Sequence, residues 1–503
     1  MSDLLEAVIG ILLTEPGTPA KTLAKRLGVD KSTVNSILSR YPSVFMREGD
    51  NPPHWFLLHP EDDGDEQVDL HIPAQLQQQL YPWQMEALVA WAHAGRSGVV
   101  EAVTGTGKTR VGVAAIADSL ARGGKAEVIV PGRELQEQWC EALAQILGAR
   151  VGRRGDGNHD DFIRHDVLVS VVNTAARESV WLPPGGLLVA DECHRYGAPM
   201  FSRVLRPEFS ARLGLTATLE RRDEGVEEYL RPYFGETCFT IGYERALAEG
   251  IIARFRIALV GVDFAPHERA EYERLSEDLH DARQELLAFV DTTTFAALLA
   301  DVTWIAGDGE HPKRGAARWW LKTWTDRRKP LAEASGKESA LRVLHDSIAD
   351  ADRALIFVGT IEHGKWAARL LQLAEIAAAA MHAELERGQR VQLLDQFRRG
   401  LTKVLVAPRV LDEGIDVPAA DLAIILSAFQ SRRQMIQRMG RVLRLKDDGR
   451  AARFVICFVR DTSEDPDRGA HEDFLDEILD VADDIRRFEP TDRRLLRSYL
   501  SPR

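Results

Sequence analysis

Three clusters in this sequence combine residue types and spacings suited to phosphate chemistry. The first, Thr104-Gly-Thr-Gly-Lys-Thr109, follows an apolar run and opens a helical pattern. Gly105 and Gly107 let successive backbone N–H groups curve around a chain of phosphates, with Thr104 and Thr106 completing the cradle. The helix that follows adds its positive N-terminal end. Lys108 would reach the β- and γ-phosphates of ATP, and Thr109 would hold Mg2+ through its hydroxyl. The second cluster, Asp191-Glu192-Cys193-His194, closes another apolar run. Its chemistry would be Mg2+ ligation by Asp191 and polarisation of an attacking water by Glu192. In the third, Arg438, Arg441 and Arg444 recur every third residue with Gln437 beside them, so their heads converge on one helical patch. A guanidinium offered there to a γ-phosphate stabilises the charge of phosphoryl transfer.

These clusters need rigid supports. Short apolar runs at 98–103, 126–130, 167–171 and 187–190 alternate with helical patterns, the rhythm of a doubly wound parallel α/β sheet. The rhythm resumes at 354–358, 403–406, 422–426 and 453–458, which predicts a second sheet. Both nucleotide-type clusters of the first half stand where strands end, the edge at which parallel sheets bind ligands.

In order and spacing, the series resembles the motifs of superfamily 2 helicases over roughly residues 80–445. The resemblance implies two RecA-like parallel-sheet lobes in tandem and nucleic-acid-stimulated ATP hydrolysis. It makes Gln84, in Leu80-Tyr-Pro-Trp-Gln84, the reader of the adenine edge. Arg133, in Val130-Pro-Gly-Arg133, and Thr174, in Ser170-Val-Val-Asn-Thr174, become contacts to a nucleic-acid backbone. Thr216 and Thr218 of Gly214-Leu-Thr-Ala-Thr218 link ATP state to the track, and Asp416 of Gly414-Ile-Asp416 meets the ribose or a motor arginine. Arg441 and Arg444 become the arginine fingers, with Gln437 and Arg438 beside the nucleotide. Leu215-Thr-Ala-Thr-Leu-Glu-Arg-Arg-Asp223 and Glu244-Arg-Ala-Leu-Ala-Glu-Gly-Ile-Ile-Ala253 are similar to the XPB branch, whose Arg-Glu-Asp triplet is Arg221-Arg222-Asp223 here. By that match Arg221 touches nucleic acid.

Residues 1–60 show three helical patterns and two short strand patterns around Gly-Asp-Asn-Pro-Pro, which predicts a winged helix-turn-helix. It resembles the Zα type that binds left-handed duplexes, with Lys31, Asn35 and Trp55 at the contacting positions. The remaining expected boundaries are an acidic linker at 61–75, a first lobe at 76–258, a linker and helical insert at 259–335, a second lobe at 336–470, and a C-terminal amphipathic helix and tail at 471–503. Lys313 to Lys329 interleaves basic residues with Trp319, Trp320 and Trp324, a mixture that suits phosphate contact with stacking, and at least one of Trp319 and Trp320 is expected in a core.

Bulk composition narrows the class. The chain has 503 residues, too many for one core, and a net charge of −13, so a nucleic-acid site must be a local basic cleft and not a coat. No apolar stretch reaches the length of a membrane span, no secretory signal opens the chain, and a cytoplasmic location is expected. The four cysteines stand apart without zinc-ligand spacing, so the metal expected is Mg2+ alone. The reading is an ATP-dependent helicase or translocase on duplex or forked DNA, in repair or antiviral defence, with any nuclease supplied by a separate partner. The alternatives are an RNA helicase, or a winged-helix sensor in which ATP is a switch without sustained movement.

Overall fold

The computed structural model describes residues 7–9, 11–12, 18–29, 34, 38, 45–48 and 54–57 of a first unit. Of a second unit it describes 68–182, 184–221, 223–291, 295–408, 420–427, 442–446, 448–468, 470 and 481–501. In the first unit, strands β1 (Thr18–Pro19), β2 (Phe45–Glu48) and β3 (His54–Leu57) form an antiparallel sheet in the order β1-β3-β2. The helix Ala20–Leu27 packs Leu23 and Ala24 into a small core with Val8, Leu12, Val34, Leu38 and Phe45. Gly28, at φ +66°, ends that helix in the left-handed conformation glycine adopts without strain.

The second unit holds two sheets. In the first, strands β4 (Ser97–Ala102), β5 (Ala126–Val130), β6 (Val151–Gly155), β7 (Asn158–His159), β8 (Val167–Val171), β9 (Leu187–Asp191), β10 (Ala211–Thr216) and β11 (Thr237–Ile241) lie in the order β11-β4-β10-β9-β5-β8-β6-β7. All pairings are parallel except β6 with β7. Strands covered by helices on both faces read as unbroken apolar runs, and β5, β8 and β9 are buried at every residue. The register sets Leu215 beside Asp191 and Thr216 beside Glu101, so three strand ends meet at one edge.

The second sheet contains β12 (Phe255–Val262), β13 (Ala354–Phe357), β14 (Ala378–Ala380), β15 (Val404–Ala407), β16 (Leu422–Ile425), β17 (Ala452–Val459) and β18 (Asp484–Phe488), all parallel, in the order β14-β15-β13-β16-β17-β12-β18. Two sequence expectations change here. The boundary at 258 cuts through β12, which joins the second sheet between β17 and β18 because an eight-residue strand buried throughout needs neighbours on both sides. Of the expected C-terminal helix, residues 471–480 lie outside those described, while the end of its stripe at Ile485 belongs to β18 and is followed by the helix Arg493–Tyr499.

Between β12 and β13 the helices Pro266–Leu286, Phe295–Gly307 and Arg314–Asp326 close on a core of their own around Leu286, Val302, Ile305 and Trp320. Trp320 is 2% exposed and its neighbour Trp319 is 46% exposed. Consecutive helical positions point about 100° apart, so only one of the pair enters the core. Among the described residues no helix is long and apolar enough to cross a membrane.

Candidate functional site: the phosphate loop and the acid box

β4 ends at Ala102 and the helix Lys108–Ala121 begins six residues later. Gly105 and Gly107 between them take φ of +93° and +89°, which side-chain-bearing residues adopt only with strain. Lys108 Nζ donates to Ala102 O at 2.7 Å and the Thr106 hydroxyl to Val103 O at 2.8 Å. Burial holds the Lys108 ammonium below the usual lysine range, against the upward pull of Glu192 and Asp191. Thr104 and Thr109 flank it, both half-buried. Gln84 is fully buried: its Nε2 donates to Gly107 O at 3.0 Å, and its Oε1 accepts from Tyr81 N at 2.9 Å. The side chain expected to read adenine thus braces the phosphate loop.

Asp191 stands at the end of β9, buried, with both oxygens engaged. Oδ1 accepts from Glu192 N at 3.0 Å and Oδ2 from the Trp139 indole at 2.7 Å. Burial pushes its carboxyl up to about 6, Glu192 adds to the rise, and the Trp139 hydrogen bond and Lys108 oppose it. Glu192 takes φ +53° in the tight turn after the strand. Its Oε2 is buried, lies 3.5 Å from His194 Nδ1 and accepts no hydrogen bond among the described residues. His194 Nδ1 sits 2.8 Å from Thr216 Oγ1, and Thr216 Oγ1 donates to Thr218 O at 2.7 Å. Arg221 donates to His194 O and pairs with both oxygens of Asp223 at 2.6 Å. A relay of short bonds therefore joins the acid box to the segment after β10. Arg221, expected to touch nucleic acid, is committed inside the protein; Arg222 lies outside the described residues.

At the same edge, Arg133 begins the helix Arg133–Leu147 and pairs with Asp156 at 2.6 Å, in the turn between β6 and β7. Thr174 follows β8, and its Oγ1 lies 3.3 Å from where a Cβ on Gly155 would stand. The two expected backbone contacts therefore flank one hairpin.

Family models match two stretches: "Type III restriction enzyme, res subunit" over residues 77–221 and "Helicase conserved C-terminal domain" over 336–446. The chain is 29% identical over 400 residues to the DNA 3'-5' translocase XPB2 of Sulfurisphaera tokodaii, covering 78% of this chain and 85% of that one. It is 27% identical to the DNA 3'-5' helicase XPB of Mycobacterium tuberculosis, covering 78% and 64%. The two helicase-type stretches and the XPB-named relatives make this chain similar to the XPB-like branch of the superfamily 2 helicases. In fold it is similar to Saccharomyces cerevisiae Dbp5 bound to RNA and ADP BeF3, with a TM-score of 0.55 at 15% identity over 86% of this chain and 98% of that one. It also matches the restriction-modification enzyme LlaBIII bound to DNA, with a TM-score of 0.52 at 16% identity over 80% of this chain and 30% of that one. The chain spans 85% of the first of these XPB relatives but under two thirds of the second.

The second lobe is described less fully. Asp416, Gln437, Arg438 and Arg441 lie outside the described residues, as do Lys31 and Asn35 of the first unit. Arg444 is half-buried and bridges Ile252, while Ala253 N donates to Leu443 O at 2.7 Å. The segment leaving the first sheet is thus paired with the end of the arginine cluster. Trp55 lies in β3 and leans on the small core of its own unit.

The donor set suits Mg2+ with a nucleotide. Two acids crowd one lysine, Glu192 keeps an oxygen unsatisfied, and Thr109 and Asp191 offer the hard oxygens this ion prefers. Sequence reasoning missed Trp139 and Gly112. A Cβ on Gly112 would stand 2.5 Å from Trp139 Cη2, so the indole passes the phosphate-loop helix only because residue 112 has no side chain. No local pattern reveals a hydrogen bond between residues 52 positions apart.

Proposed function

We propose that this chain is an ATP-dependent DNA translocase or helicase in which hydrolysis at the first lobe's edge is coupled to movement on duplex or forked DNA. The observation that carries the reading is the relay His194–Thr216–Thr218, which begins 3.5 Å from Glu192 Oε2 and runs from the acid box to the segment expected to sense the track. Lys108 would bind the β- and γ-phosphates, Thr109 and Asp191 would hold Mg2+, and the bound ion would neutralise charge on the transferring phosphoryl group. Glu192, with its unsatisfied buried oxygen, would take the proton of the attacking water. Arg441 and Arg444 would meet the γ-phosphate from the second lobe, Gln437, Arg438 and Asp416 would line the nucleotide, and closure and reopening of the cleft would advance the strand. Arg133 and Thr174 would hold the backbone from the first lobe. The N-terminal unit would act as a winged helix that adds duplex contact through Lys31 and Asn35, with a left-handed duplex as one form to test.

Steady-state ATP hydrolysis by the wild type and by Glu192→Gln, measured without polymer and with single-stranded DNA, duplex DNA, RNA and a left-handed duplex, tests this reading. Strong stimulation by DNA that vanishes in the variant is the expected result. A flat response to every polymer rejects the motor and favours the switch.

A further inference from the structure

The helix Arg133–Leu147 has one end at the proposed nucleic-acid edge and its second turn at the acid box. Arg133 is its first residue, held by Asp156, and Trp139 lies about 9 Å further along the axis. Trp139 is fully buried and donates from Nε1 to Asp191 Oδ2 at 2.7 Å. On the same inner face Gln136 Nε2 donates to Arg154 O at 3.0 Å and to Val169 O at 2.7 Å, which ties the helix to β6 and β8. The indole has little room, because it crosses the phosphate-loop helix at Gly112 and a Cβ there would also come within 3.1 Å of Leu215 Cδ1. A shift of the helix therefore cannot be absorbed by Trp139 swinging aside. It must move, or loosen, the oxygen that Asp191 presents.

We propose that this helix is a lever by which nucleic-acid contact at Arg133 is reported to the magnesium-holding Asp191 through Trp139, which acts as a positioning residue. The inference rests on the motor reading above. A backbone phosphate competing with Asp156 for the Arg133 guanidinium would release one anchor of the helix. Gln136 and Trp139 would then pass the change to β8 and to Asp191. This path is separate from the His194–Thr216 relay, which lies beside Glu192, whereas Trp139 reaches Asp191 Oδ2. Reciprocity follows: occupation of the nucleotide site should alter affinity for nucleic acid by the same coupling factor.

The test uses the full chain as wild type, Trp139→Phe, which keeps a ring but loses the N–H, and Gly112→Ala, which displaces the indole from the other side. Affinity for a fluorescein-labelled duplex is measured by anisotropy, without nucleotide and with Mg2+ plus a non-hydrolysable ATP analogue, and turnover is measured with and without the same duplex. In the wild type the nucleotide is expected to shift duplex affinity by about tenfold, within the usual range of coupling. In both variants the shift should shrink to about twofold or less, nucleotide-free affinity should stay within about threefold of wild type, and stimulation of turnover should fall more than basal turnover. A Trp139→Phe protein that keeps the full shift overturns the lever. So does one whose basal and stimulated rates fall by one common factor along with its Tm, the signature of a merely structural tryptophan. If the wild type neither binds the duplex nor responds to it, the motor reading itself fails on the wild-type result alone and takes the lever with it.

Discussion

The two lobes share a parallel-sheet plan but use their buried polar groups differently. In the first, buried groups near the sheet edge converge on Asp191 and Glu192: an indole, a lysine, an imidazole and a threonine hydroxyl. In the second, buried cations hold chain segments. Arg453 pairs with Asp421 and donates to Leu500 O at 2.7 Å, Arg256 donates to Tyr499 O at 2.7 Å and Ser501 O at 2.8 Å, and Lys337 joins Glu464 at 2.7 Å while donating to Leu331 O. Burial of charge therefore sets reactivity in one lobe and fastens the chain in the other. Substitutions in the first should change rates at nearly constant stability, and substitutions in the second should do the reverse.

The sharpest break of that contrast is Glu192→Gln, which removes the proton acceptor without changing shape. Turnover should fall by about 10²–10⁴, the usual worth of a positioned base, with nucleotide affinity and denaturation midpoint close to wild type. A midpoint that fell with the rate would make the acid box structural as well. Next comes Arg453→Met, which takes from the buried Asp421 its nearest cation and leaves it Arg353 N and the more distant Arg450. Urea unfolding should show a loss of about 3–5 kcal/mol while the rate constant at 25 °C changes little, and Asp421→Leu in the same chain should recover part of the loss.

A smaller effect tests the second lobe by pH. His363 is buried and held neutral, its pKa lowered from 6.5 to about 4 by burial first and by Lys337 second. An unfolded chain takes that proton near 6.5 and the folded one does not, so stability is complete above 6.5 and declines as pH falls towards 4. The decline should be about 3 kcal/mol, should be missing from His363→Gln, and should emerge when the two unfolding profiles are subtracted. The least effect is expected from Arg133→Ala, whose nucleic-acid affinity should drop modestly for all sequences alike. The slope of log affinity against log salt should flatten by about 1, and an unchanged slope would remove Arg133 from the phosphate contacts.

Much of this architecture was legible in residue order. β5 and β8 fall where apolar runs were read, because strands covered on both faces carry no alternation to confuse them. The phosphate loop and acid box were legible because glycine, lysine and paired acids at strand ends have few other uses together. Membership of a sheet was not. β12 looks like any buried strand, and only its pairing with β17 and β18 assigns it to the second lobe. β18 was hidden because Val481 and Ile485 fit a helical stripe, whereas Ile485 pairs in the sheet with Ile257. At the site, the roles of Gln84 as a brace and Arg221 as an internal tie depend on partners distant in sequence or on backbone carbonyls, which residue types do not disclose.

The place of β12 between β17 and β18 also orders events during synthesis. The first sheet is complete once Ile241 has been made, so it can close while the rest of the chain is still emerging from a ribosome. β12 follows at once, but its two neighbours are separated from it by roughly two hundred residues. Throughout that interval an eight-residue strand, six of its residues apolar, waits with both backbone edges unpaired, a template for association with other chains. A nascent chain of this kind needs either rapid elongation or a chaperone that covers one strand, and loss of β18 alone would leave that strand as a permanent open edge.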